Sequence, residues 1–198
     1  MPPLLAFAYI VLGYILPRTI EFLPIPRESL DNGHSLQEHV LRKRALLAVS
    51  STALIIKLSE FLQTHESIQI GNNLFHLDAG SNSLLMGAAD LCQWMILDRT
   101  PVALVAALVT AFGGPLSELP FVASGFWTYL PEAADYTPLA MIQPGAATEG
   151  FLSTLLGDDF RDIALSSITS GCYFAVTMDA IALGRYFYSL ETTESNGE

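Results

Sequence analysis

Residues 91–123, LCQWMILDRTPVALVAALVTAFGGPLSELPFVA, decide how the whole chain is read. From Pro101 to Ala123 the run carries a single charged residue, Glu118. Wound as a helix at roughly 1.5 Å per residue it reaches about 35 Å, enough to cross a hydrocarbon layer of about 30 Å. Thr100 and Pro101 are a matched helix start. The hydroxyl caps free backbone N–H groups, and proline lacks an N–H that the first turn has no use for. Just upstream, Leu77 to Leu97 is a second apolar run, interrupted by Asn82 and Asp90. Asp98-Arg99-Thr100 alone separates the two, so they read as an antiparallel pair of membrane helices.

The composition of the whole chain agrees. Of its 198 residues 51% are hydrophobic and only 15% charged, and the mean hydropathy is +0.41. A soluble domain usually carries about 25% charged residues and needs them to cover its surface. The length fits one domain. The net charge of −11 excludes the basic face of a nucleic-acid binder. Cys92 and Cys172 lie inside apolar runs, which argues against a disulfide framework or a zinc site. His34, His39, His65 and His76 fall in polar segments without metal-ligand spacing. No metal and no cofactor are expected.

Three further runs complete the map. Residues 3–23 open with the apolar stretch Leu4 to Leu16 and then meet Pro17-Arg18 and Glu21, which belong at or near an interface. A cleaved signal is the rival reading, but the run lacks a basic start. Residues 45–62 carry Ser50, Ser51, Thr52, Lys57 and Glu60, the last two spaced to pair on one helix face. Residues 163–183 contain Asp179 and close in Gly184-Arg185. The expected fold class is therefore all-α, a polytopic membrane bundle of about five transmembrane helices over 3–23, 45–62, 77–97, 101–123 and 163–183. It forms a single domain over residues 1–190, with a disordered acidic tail at 191–198. Between the last two spans, Phe126, Trp127, Tyr129 and Tyr136 suit an interfacial aromatic belt.

Positive charge tests the map. Five spans place Arg27, Arg42, Lys43, Arg44, Arg99 and Arg185 on one side and Arg161 on the other. That is the positive-inside pattern, with the Asp98 turn in the cytosol. It also places Met1 on the far side, which predicts a missing upstream span.

Within the runs, Asp90, Glu118 and Asp179 each cost about 2.5–3.5 kcal/mol at mid-membrane, the insertion gain of roughly six aliphatic residues. They are expected to face inward, where they line a site or hydrogen-bond between helices. Gly87, Ala88, Gly113, Gly114 and Ala175 allow helices to approach closely. Pro115 is expected to kink its helix.

The order of motifs resembles the Insig (insulin-induced gene) family, polytopic regulators with six spans. Pro2-Pro3 heading the run to Leu16-Pro17 is similar to the start of the family's second span. Arg44 leading to Lys57-Leu58 is similar to its third, and Trp94 with Asp98-Arg99-Thr100 to the turn after its fourth. Trp127, Tyr129 and Asp135-Tyr136 match its aromatic and acidic loop. Cys172 to Phe174, followed by Gly184-Arg185, matches its last span. The resemblance implies a divergent member lacking the first span. Residues 61–76 look inserted, and Glu118 and Asp179 depart from the family pattern.

The resemblance implies a non-enzymatic regulator that binds a sterol or other membrane lipid (a glycerolipid included) within its bundle and engages another polytopic membrane protein. Asp98 and Arg99 are the expected partner contacts. Trp94, Asp90, Gly114, Glu118 and Asp179 are the expected ligand-binding residues. The endoplasmic reticulum is the implied location, with a plastid or bacterial membrane left open. The runner-up is a small intramembrane lipid-modifying enzyme or a proton- or cation-coupled transporter using Asp90, Glu118 and Asp179. For Asp98 the plain alternative is a turn acid at a helix start, and for Trp94 an interfacial anchor.

Overall fold

The computed structural model describes residues 38–195. The expected first span, residues 3–23, lies outside them, as do Arg27, His34 and the end of the acidic tail. The described chain is predominantly helical: α1 (Glu38–Thr64), α2 (Ala79–Leu97), α3 (Pro101–Ala123), α4 (Glu149–Leu156) and α5 (Thr169–Ser195). Between α1 and α2 lies a short antiparallel hairpin, β1 (Ser67–Ile70) and β2 (Asn73–His76), in which Ser67 faces His76 and Ile70 faces Asn73. Gly71 turns this hairpin at a φ of 62°, a left-handed conformation that glycine adopts without strain.

Local chemistry sets the helix ends. Asp78 caps α2 by accepting from the Ser81 N–H at 2.7 Å. Leu77, the expected first residue of that span, instead donates its N–H to the Glu66 carbonyl and belongs to the hairpin segment. Thr100 caps α3 by accepting from the Ala103 N–H, with Pro101 in the first turn. Arg99 ends the preceding helix at a φ of 65°, where glycine is usual, and turns its Nε–H back onto the Met95 carbonyl. Helix α3 runs on without interruption through both Pro115 and Pro120. The last helix begins at Thr169 rather than 163 and reaches Ser195, inside the expected tail.

Helix α5 is the axis of the array. Its residues Tyr173 to Ile181 are all buried, the mark of a helix covered on every side. It packs along α1 and α3 and, less extensively, α2. Contacts fix the directions. Thr52 reaches Ala175, and Gln63 reaches Ser166, so α1 is antiparallel to α5. Thr110 meets Thr177 at 2.6 Å and Gly114 meets Tyr173, so α3 is antiparallel as well. Asp90 lies on Gly171 and Asp98 on Arg185, so α2 runs parallel to α5.

The inner faces are unlike those of a soluble bundle. Buried positions of α2 are Asn82, Met86, Asp90, Gln93 and Leu97. Those of α3 are Ala103, Ala107, Ala111, Gly114, Glu118 and Leu119, small or polar at helical spacing except for Leu119. The outer faces carry Leu54, Leu84, Ile96, Val105, Val109 and Phe112, all exposed. Among the described residues two helical segments, Val40–Thr64 and Pro101–Ala123, are long and apolar enough to cross a membrane.

Residues 125–168, with 125–162 expected to be a loop and 163–168 the start of the last span, form a small cap. Leu139, Leu156, Phe160, Ile163 and Leu165 bury themselves against Leu119 at the end of α3. A backbone bridge joins Tyr136 to Leu165, and Asp135 accepts from the N–H and hydroxyl of Ser167 at 2.7 Å. Arg161 ties the cap together through the Ile142 carbonyl and Glu149, each within 2.8 Å. Hydrogen bonds from Arg161 and the Gly145 N–H hold the Glu149 carboxyl below its ordinary range.

Candidate functional site

The antiparallel array sorts positive charge by end. Arg42, Lys43 and Arg44 on α1, the Arg99 turn and Arg185 on α5 gather at one end. Glu66, Asp78 and the acids of the cap gather at the other, with Arg161 among them.

Polar centres lie towards both ends of α5. At the acidic end, the buried Glu118 carboxylate accepts from two tyrosines. Tyr173 on α5 donates to Oε1 at 2.8 Å, and Tyr129 from the cap donates to Oε2. The Tyr129 oxygen also lies 3.2 Å from the Thr169 hydroxyl. Burial, and then its bond to Glu118, pushes the Tyr129 hydroxyl above its ordinary range. Gly114 makes the arrangement possible, because a Cβ there would sit 2.4 Å from the Tyr173 ring. One carboxylate thus joins α3, α5 and the cap.

At the basic end, Arg185 Nη1 donates to Asp98 Oδ2, and the Thr100 N–H donates to Asp98 Oδ1 at 3.0 Å. The Asp98 side chain is 3% exposed, that of Arg185 30%. A recess opens beside this pair, between α1, α2 and α5, with Arg44 and the apolar side chains of Leu41, Leu97 and Met178 on its walls.

The expected site residues do not converge. Gly114 and Glu118 meet at Tyr173. Asp90 lies on another seam, against Gly171 and Met86, where a Cβ on Gly171 would come within 2.8 Å of its carboxylate. It is 4% exposed, and its Oδ1 has no hydrogen-bond partner among the described residues. Trp94 is half-buried, and its indole N–H donates to the Thr100 carbonyl at 3.0 Å, bracing the turn. Asp179 is buried in α5. Asp98 is engaged by Arg185, whereas Arg99 is exposed.

Sequence reasoning assigned Tyr129 to the belt, but its hydroxyl reaches the interior. It also passed over Tyr173 and Gln93. The Gln93 amide donates to Ser51 and Thr52, both at 3.0 Å, while those hydroxyls donate onward to the Ala48 and Ala175 carbonyls. A glutamine in an apolar run was the available signal, since a buried amide needs partners. Among the described residues no group of three or more His, Cys, Asp or Glu is placed to hold a metal ion. No family model, curated relative or solved structure matches the chain.

Proposed function

We propose that the chain is a non-enzymatic membrane regulator that binds a sterol or other lipid in its helix bundle and engages a partner membrane protein. The observation that carries the membrane setting is the inversion of polarity. Asn82, Asp90, Gln93, Glu118 and Asp179 are buried, while Leu54, Leu84, Ile96, Val109 and Phe112 face outward. In water this arrangement exposes the apolar surface and desolvates the polar groups, both at a cost. In lipid it is the favoured one. The charge sorting supports an orientation with the Arg44, Asp98 and Arg185 end in the cytosol.

The regulator reading draws on the Insig resemblance, which also proposes the endoplasmic reticulum. The Glu118 centre suits it chemically: a lipid hydroxyl takes the place of Tyr129 on the carboxylate and loosens the cap. Asp98 changes partners between Arg185 and a cationic group of the bound protein. Ligand and partner are coupled if each prefers the same packing of α3 against α5. Purified protein in nanodiscs is expected to bind a labelled sterol saturably, without turnover, and Glu118→Gln is expected to weaken that binding. Linear, unsaturable uptake by the wild type overturns the reading.

Asp90 favours a second reading, a proton- or cation-coupled transporter, because its buried Oδ1 lacks a partner among the described residues. Cation-driven flux in liposomes that disappears in Asp90→Asn is the result that selects it.

A further inference from the structure

We propose that the recess between α1, α2 and α5 at the basic end binds the phosphate headgroup of an anionic lipid. Arg44 and Arg185 share the phosphate at the mouth of the recess, beside the partly exposed Leu41. The inference rests on the membrane setting proposed above. It does not depend on a sterol or a protein partner.

The chain as a whole is acidic, at −11, so it repels anions at long range. Its cations are nevertheless concentrated here. Arg44 lines the recess and has no ion-pair partner among the described residues. Arg42 and Lys43 are its neighbours on α1, and both are exposed. Arg185 lines the opposite wall, partly open to solvent, with its guanidinium on Asp98. Asp98 is the acid that faces the recess, and it neutralises one of the two arginines. A phosphate between Arg44 and Arg185 meets a net positive charge and planar guanidinium forks that match its oxygens.

Position argues for a lipid over a free anion. Leu97, the last residue of α2, lies at the level of this end, and α1 and α5 both continue past it. The arginines therefore sit where a membrane helix passes from hydrocarbon into headgroups. Below them the recess closes on the buried Leu97 and Met178, which offer nothing to a second hydrated oxyanion. Basic pockets between helices on the cytosolic side are where acidic headgroups lodge.

The test uses the full chain, purified and stripped of lipid in a neutral detergent. Dioleoyl phosphatidic acid, dioleoyl phosphatidylcholine and inorganic phosphate are titrated separately and read by native mass spectrometry. Phosphatidic acid is expected to bind one equivalent at least tenfold more tightly than either alternative. Arg44→Gln is expected to lose that preference and Arg44→Lys to keep most of it. Arg42→Gln, the same charge change on an exposed site, is expected to shift affinity less than threefold. Equal loss in Arg42→Gln and Arg44→Gln, or equal binding of the two lipids, rejects the site. Equal binding of inorganic phosphate rejects a lipid as its occupant. None of these failures touches the membrane setting, which is scored separately by whether the protein needs detergent.

Discussion

Adjacent glycines in the middle of α3 provide an internally controlled test of the packing. Gly113 and Gly114 have the same helical surroundings, so replacing either by alanine gains the same backbone propensity, up to about 1 kcal/mol. Their neighbours differ. A Cβ at Gly113 meets nothing within 4 Å, whereas one at Gly114 lies 2.4 to 2.6 Å from three ring atoms of Tyr173. Normal contact begins near 3.4 Å, so α3 and α5 must separate by about 1 Å or the ring must leave its place. The ring is held at one end by its own backbone and at the other by Glu118. The difference between the two variants removes the propensity and isolates the strain, which is about 1–3 kcal/mol for overpacking. Thermal unfolding in detergent, followed by tryptophan fluorescence, is expected to place Gly114→Ala roughly 2–12 °C below Gly113→Ala. Coincident transitions would refute the close contact between α3 and α5.

Three other perturbations follow from the same geometry. Asp98→Asn leaves the cap on Thr100 in place but removes the charge from Arg185. It is expected to cost about 1–3 kcal/mol in detergent unfolding, less than the roughly 3–5 of a fully buried pair because Arg185 still reaches water. An unchanged stability contradicts the pairing. Tyr129→Phe removes one of two donors to the buried Glu118, a loss of about 1–3 kcal/mol felt locally. Faster hydrogen exchange over 126–136, with α2 unaffected, is the expected signature. The lowered Glu149 pKa sets a pH dependence. A depressed carboxyl contributes stability above its unfolded value, near 4.5, and loses it as pH falls through the lower folded value. Proteolysis of residues 142–161 is expected to accelerate below about pH 4 in the wild type, and Glu149→Gln is expected to be fast already at pH 6.

What the sequence discloses depends on how local the determining interaction is. The start of α3 is legible because Thr100 and Pro101 act on backbone groups within one turn. The start of α5 is not, because Ile163, Leu165 and Ile168 look like membrane residues by composition. The first two pack instead with Phe160 in the cap. Residues 67–76 carry a hairpin signal in Gly71-Asn72 between short apolar-alternating runs. The inward orientation of Asp90 and Glu118 is legible from the cost of a carboxylate in lipid. Their partners are not: Tyr173 is 55 residues from Glu118, and Arg185 is 87 from Asp98. No local pattern encodes such distances. Small residues at 103, 107, 111 and 114 mark the contact face of α3 by helical spacing. Which helix receives that face is decided by the tertiary fold alone.

The central claim is that lipid, not water, covers the outward faces of the helices. Cys92 tests it directly, because it is exposed on α2 and the other cysteine, Cys172, can be replaced by alanine. In sealed vesicles, a membrane-impermeant maleimide is expected to leave Cys92 unmodified from either side. A cysteine introduced at Ser124, beyond the end of α3, is expected to react, and Cys92 to follow once detergent is added. Rapid labelling of Cys92 in intact vesicles would mean that water reaches that face, and the account of the fold as a membrane bundle would be wrong.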